Sequence, residues 1–320
     1  MNRQAPARRA IDGVLLLDKP TGITSNAAIQ RVKRAFAAAK AGHVGTLDPM
    51  ASGLLPVCLG EATKFSTDTF SADKSYEAEV LLGVTTTTGD REGEVTARCA
   101  VDVAHDRLLA VLASFTGALQ QTPPMYSALK RAGKPLYEYA RAGLTVERSP
   151  RTITIHKLVL LDFAADRFTI HVSCTKGTYI RVLAEDIGAA LGCGATLAGL
   201  RRTSVGNFDL SQAVTLEALE RAADVARIGS LLPLDSLVAQ LPEVTLDRDA
   251  VARILQGQAV QIDACAGIVG TVRIYDANRG FLGLAEQETG GRLLPKRLLA
   301  SGGENLGGGT RTPASSPKIA

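Results

Sequence analysis

Apolar residues in this 320-residue chain recur with two different periods, and the two never settle into a regular strand–helix alternation; that irregularity is the strongest limit on its fold. Gly13–Leu17 reads as a short buried strand, Asp18–Thr24 is dense in turn residues, and Ser25–Ala39 carries Ile29, Val32 and Phe36 at helical spacing. Gly42–Gly60 reads as an apolar loop punctuated by glycine and proline, and a loop of that kind belongs inward, at a site. Tyr76–Val84, Ile153–Phe163 and Arg167–Cys174 suit strands, whereas Asp106–Phe115 and Tyr179–Leu191 suit helices. No G-x-G-x-x-G or Walker loop follows a strand. The pattern predicts an α+β sheet domain and argues against a Rossmann fold.

Val214–Leu232 is predicted as one helix with Thr215 as its N-cap, and Pro233–Pro242 as a connector. Gly267–Tyr275, Gly280–Ala285 and Arg292–Leu299 then read as the strands of a small β domain. The last segment, 301–320, is rich in Gly, Ser and Pro and has little to bury, so disorder is expected there. The chain thus divides into a basic leader over 1–12, a sheet domain over 13–232, a β domain over 243–300 and a tail.

No apolar run approaches the ~20 residues that cross a bilayer, and residues 1–12 lack the hydrophobic centre of a signal peptide, so a cytoplasmic protein without a membrane partner is expected. Cys58, Cys99, Cys174, Cys193 and Cys265 are scattered and never form C-x-x-C, and the four histidines show no H-x-x-x-H spacing. Neither a disulfide framework nor a metal is implied.

Net charge is only +4, but it is unevenly spread: residues 1–40 hold eight Lys/Arg against two Asp/Glu, and residues 120–152 six against two. Two basic surfaces suggest a polyanionic partner, because neutralising phosphates releases counterions; solvated helix faces are the other reading. The 120–152 segment also interleaves Tyr126, Tyr137 and Tyr139 with its cations, a mixture able to hold a phosphate backbone and stack on unpaired bases.

Two places can carry chemistry. Asp48 sits between Leu47 and Pro49 in HVGTLDPMASGLLPVCLG, so its carboxylate is either employed or merely caps the turn at Ala51 or Ser52. Arg181, in KGTYIR at a predicted strand-to-helix junction, can offer a buried carboxylate a planar cation.

The segments LDKPTGITS, AGHVGTLDPMASGLLPVCLGEATK, KSYEAEVLLG, MYSALK, LYEYAR, SCTKGTYIRVLAEDIG and LGCGATLAGLRR, in that order from Gly13 to Arg202, closely resemble bacterial tRNA pseudouridine synthases of the TruB family. The resemblance implies a mixed, mostly antiparallel sheet flanked by helices, followed by a small PUA-like β-barrel. It implies isomerisation of uridine to pseudouridine at position 55 of the tRNA T loop, with no cofactor. Asp48 falls on the family's catalytic aspartate, Tyr76 on the tyrosine that packs on the target base and takes part in proton removal, and Arg181 on the arginine that pairs with the aspartate. Tyr179 falls beside the uracil, Leu200 in the wall that contacts it, His43 on the histidine involved in flipping the nucleotide, and Asp90 on an acidic residue networked to the site. Lys64, Tyr126, Lys130, Arg131 and Arg141 are the expected RNA contacts. Thr87 departs from the pattern, standing where many relatives carry an aspartate.

A shape-recognised T stem-loop is the implied partner, bound by a monomer without a guide RNA, and the 120–152 segment is expected to order on it. The rival reading is a non-catalytic tRNA-binding or tRNA-folding protein on the same fold. A glycosidase is a further rival, but it needs two facing carboxylates, of which Asp48 alone stands out with Asp90 a weak second.

Overall fold

The computed structural model describes residues 8–69, 72–262 and 267–300; most of the leader, Cys265 and the tail lie outside them. Its centre is a ten-stranded sheet. Gly13–Lys19 runs antiparallel to Ser52–Leu59, and Lys74–Leu82, Arg167–Cys174, Arg151–Ala164 and Gly117–Gln121 form an antiparallel series on the far side. Ala195–Val205 joins the halves, antiparallel to Lys74–Leu82 but touching Ser52–Leu59 in parallel only at Arg201↔Ser52 and Arg202↔Gly53. The two halves therefore part just where the Asp48 loop enters Ser52–Leu59.

Alternation along Lys74–Leu82 puts Lys74, Tyr76, Ala78, Val80 and Leu82 on the buried face. Against that face pack the helices Ser25–Ala35, His105–Ser114 and Ile180–Leu191, through residues such as Val32, Leu108 and Leu183. The first helix stops at Ala35, short of the predicted Ala39, because Ala37 turns to φ 51° and the chain leaves to pair with Arg9. One of the cations counted over residues 1–40 is used within the protein, since Arg31 on this helix grips Glu220 in a two-pronged pair at 2.7 and 2.6 Å.

Ser52–Leu59, which reads from sequence as loop, is a nearly fully buried strand. Pro56, which has no N–H to give, still takes part through its carbonyl, which accepts from Val44 N, and Gly53 is required because at φ +98° a Cβ there would run into the Arg202 carbonyl. The helix predicted over Val214–Leu232 is also corrected. Val214–Thr215 pairs with the first strand, Thr215 caps Leu216–Arg221, and the chain breaks at Ala222 before Asp224–Gly229. Arg227 holds the break from the tertiary side, donating to the carbonyls of Ala222 and Ala35.

The connector forms a short 3-10 turn, Leu234–Val238, whose Leu234, Leu237 and Val238 enter a second core. That core lies under the other face of the large sheet (Val14, Leu16, Leu54), takes in Phe65 from the turn after Ser52–Leu59, and is closed by Tyr275, Phe281 and Leu284 of the C-terminal sheet. The C-terminal sheet has five strands, of which Gly270–Tyr275, Phe281–Gln287 and Arg292–Leu298 form an antiparallel meander, as a PUA-like domain requires. Phe65 and Phe281 meet across the seam with ring centres 5.3 Å apart. Among the described residues no helix is long and apolar enough to cross a membrane.

Candidate active site

The Asp48 loop is held from both sides. Ser25, buried at the start of the first helix, donates its hydroxyl to the Leu47 carbonyl and accepts from Leu47 N, both at 2.9 Å, while Gly22 N donates to the Pro49 carbonyl at 2.8 Å. The turn is closed by its own backbone, Ala51 N donating to the Asp48 carbonyl at 3.1 Å, so the carboxylate is not consumed as a cap. It turns instead to Arg181, whose Nε lies 3.2 Å from Asp48 Oδ2.

Arg181 occupies the first turn of Ile180–Leu191, and its guanidinium divides its donors four ways. Besides Asp48 it approaches Asp90 Oδ2 at 3.5 Å through Nη1, donates from Nη1 to the Thr88 carbonyl at 3.0 Å, and donates from Nη2 to the Tyr126 carbonyl at 2.7 Å. Asp90, 3% exposed, is fixed by Thr88 Oγ1 at 2.6 Å and Glu92 N at 3.0 Å. Burial pushes the Asp48 carboxyl above its ordinary range; Arg181 opposes the rise, Asp90 adds to it and Lys19 opposes it. The group is therefore a half-exposed carboxylate backed by a buried cation, open on one side and held by Arg181 on the other.

Tyr76 lies on Lys74–Leu82, opposite Arg202 and Val172, and its hydroxyl is pushed up by burial while the Arg202 charge pulls it down. Tyr179 immediately precedes the Arg181 helix. The buried amide of Gln121 clamps its peptide, accepting from Tyr179 N at 2.7 Å and donating to the Tyr179 carbonyl at 3.1 Å. His43 ends the Ala41–His43 strand with Nδ1 buried and unpartnered, and burial together with the Arg202 charge lowers its pKa, which keeps the ring neutral. Leu200 lines a cleft of about 280 Å³ with Met50, Ser52, Glu77 and Arg201, next to the Asp48 loop. Asp48, Tyr76 and Arg181 are not among that cleft's lining residues. Thr87 turns away, its hydroxyl accepting from Glu94 N at 3.1 Å.

The expected RNA contacts divide. Tyr126 supplies the carbonyl held by Arg181, so the root of the 120–152 segment is part of the site. Lys130, Arg131 and Arg141 are exposed farther out, with Arg131 donating to the Glu147 carbonyl and Arg141 lying 5.4 Å over the Tyr137 ring. Lys64 is elsewhere, at the seam with the C-terminal sheet, held by Glu61 at 2.6 Å and the Leu298 carbonyl at 3.1 Å.

Sequence reasoning missed Lys19 and Arg202. Lys19 is fully buried at the end of the first strand, donating to the carbonyls of Pro20 and Ile23, and burial lowers its pKa to about 8, with Asp48 partly restoring it. A lysine closing the apolar run GVLLLDK ahead of Pro20 was the available signal.

Three family models match in succession: the N-terminal domain of TruB family pseudouridylate synthases over 33–180, the tRNA pseudouridylate synthase B C-terminal domain over 181–239, and the C-terminal model of pseudouridine synthase II TruB over 242–299. The tRNA pseudouridine synthase B of Azoarcus sp. is 56% identical over 94% of this chain and 99% of its own, and that of Cupriavidus metallidurans 56% identical over 91% and 95%. The chain belongs to the TruB family of pseudouridylate synthases. Among solved structures, this TruB-family chain resembles a Cbf5-Nop10-Gar1 complex at TM-score 0.67 and 29% identity, covering 87% of this chain and 79% of that one. It resembles an H/ACA RNP bound to a substrate RNA containing 2'-deoxyuridine at TM-score 0.68 and 26% identity, covering 89% and 84%.

Proposed function

We propose that this TruB-family chain isomerises uridine to pseudouridine at position 55 in the T loop of tRNA, acting alone as a cytoplasmic monomer. The observation that carries the reading is the Asp48–Arg181 pair at 3.2 Å, its carboxylate still accessible and its cation buried, with Tyr76 and Tyr179 close by in the fold. The N-glycosidic bond breaks, the uracil turns while held, C5 joins the ribose carbon, and the proton lost from C5 is balanced by one gained at N1. Asp48 acts as the carboxylate that makes the bond labile, Arg181 keeps it ionised, and Tyr76 packs on the base and takes part in proton removal. Unstacking the target costs a few kcal/mol, which the basic, tyrosine-bearing 120–152 segment offsets by gripping the stem-loop.

Incubation with an unmodified tRNA transcript, followed by mass analysis of the chemically tagged nucleoside, tests the reaction and its position. Binding of tRNA without conversion would favour the non-catalytic tRNA-folding alternative. The likeness to an H/ACA RNP raises a guide-dependent alternative, and conversion of a bare T stem-loop would dispose of it.

A further inference from the structure

Arg202 is the bulkiest fully buried side chain among the described residues, at 1% exposure, yet it is satisfied by carbonyls and not by a carboxylate. Its Nε donates to the Leu54 carbonyl at 2.7 Å and its Nη2 to the Gly45 carbonyl at 2.9 Å. A guanidinium taken out of water without a counter-charge is costly to keep, so its placement calls for a reason. Gly45 precedes Asp48 and Leu54 follows it, so one side chain ties together both ends of the loop that bears the carboxylate. On its own strand Arg202 stands directly opposite Tyr76, which sets the two side chains on one face at the ~5 Å spacing of a cross-strand pair.

We propose that Arg202 is a positioning residue of the reaction, clamping the Asp48 loop at both ends and holding it in register with Tyr76. The inference rests on the pseudouridine-forming reading above and adds a residue to it. Gly45 lets the clamp close: at φ +74° it presents no Cβ, and one placed there would stand 3.2 Å from Arg202 Nη1. The Arg202 charge, facing Tyr76 across the strand pair, opposes the rise that burial imposes on the Tyr76 hydroxyl. Asp48 and Tyr76 come from segments that are far apart in sequence, and Arg202 is where their backbones are locked to one another.

The test is single-turnover conversion of an unmodified tRNA transcript by Arg202→Lys, run beside tRNA binding and thermal unfolding. Lysine keeps a charge but cannot reach two carbonyls in a fork. The rate is expected to fall about 100-fold, the scale of a small misplacement of reacting groups, with tRNA affinity changed only a few-fold and the chain folded at the assay temperature. In a Tyr76→Phe background the same substitution should cost clearly less, because the two residues act as a unit. A near-normal rate, a loss that tracks tRNA affinity or folded fraction, or losses that simply multiply in the double variant would overturn the proposal. Should Arg202→Lys not fold, Gly45→Ala pushes on the same guanidinium from the loop side, and an undiminished rate there overturns it equally. Wild-type inactivity on the transcript would sink the parent reading and this inference together, whereas an active wild type with an undisturbed variant sinks this inference alone.

Discussion

Asp48 and Arg181 meet at 3.2 Å although one side chain is 40% exposed and the other 7%. The acid is reachable by a substrate while its counter-ion is shielded from solvent and cannot easily be drawn away. A pair built the other way round would offer the cation to RNA phosphates and hide the carboxylate from the base.

Asp48→Asn is expected to abolish turnover while leaving tRNA affinity within a few-fold, since the carboxylate serves chemistry more than binding. Filter binding and tritium release from labelled tRNA, measured on the same preparation, check both halves; residual turnover near the wild-type rate would remove Asp48 from the mechanism.

The raised Asp48 pKa has opposite signs for activity and stability. The native state holds this proton more tightly than the unfolded chain, whose aspartate titrates at about 3.9, so its contribution to stability is present below that value and is lost as pH rises through the raised one. Turnover, which needs the ionised form, should rise over the same interval. A single-turnover pH profile is expected to show its acid limb above the usual aspartate range, and Lys19→Met should move that limb higher by removing a cation that favours ionisation. A limb at the ordinary value would mean that partial burial does not govern this carboxyl.

Arg181→Met should cripple turnover and also loosen the segment around Tyr126, because the guanidinium anchors the Tyr126 and Thr88 carbonyls as well as the carboxylates. The loss falls mainly on Asp90, buried with Arg181, and stripping one partner from a buried pair costs about 3–5 kcal/mol. Denaturant unfolding should register the loss, and limited proteolysis should find new cuts near 125–148. An unchanged digestion pattern would mean that the anchor is dispensable.

Binding of tRNA should weaken steeply with added salt, and replacing Lys130, Arg131 and Arg141 together by alanine should flatten that slope, by nearly one unit of log K against log salt for each phosphate left without its cation. Equal slopes for the two proteins would mean that other cations neutralise the phosphates.

The Asp48–Arg181 pair is legible in the sequence because each residue sits at a break in pattern, Asp48 before a proline in an apolar run and Arg181 at the opening of a helix. Arg202 is not, since LRRTSV looks like any strand with two surface cations; only the register that sets it opposite Tyr76, with Gly53 letting the backbones close, turns it inward. The same closeness explains why Ser52–Leu59 reads as loop. Gly53 and Pro56 ordinarily punctuate, and here they are what a buried strand needs where its neighbours crowd it. The break at Ala222 is invisible for another reason: alanine carries no stop signal, and the bend is imposed by Arg227 reaching across to the first helix.

Phe65, Phe281 and Leu237 belong to a hydrophobic cluster shared by both sheets, so the C-terminal module is welded to the rest and not hung from it. Their separation is set by packing rather than by a linker, so the two parts cannot slide to suit whatever spans them.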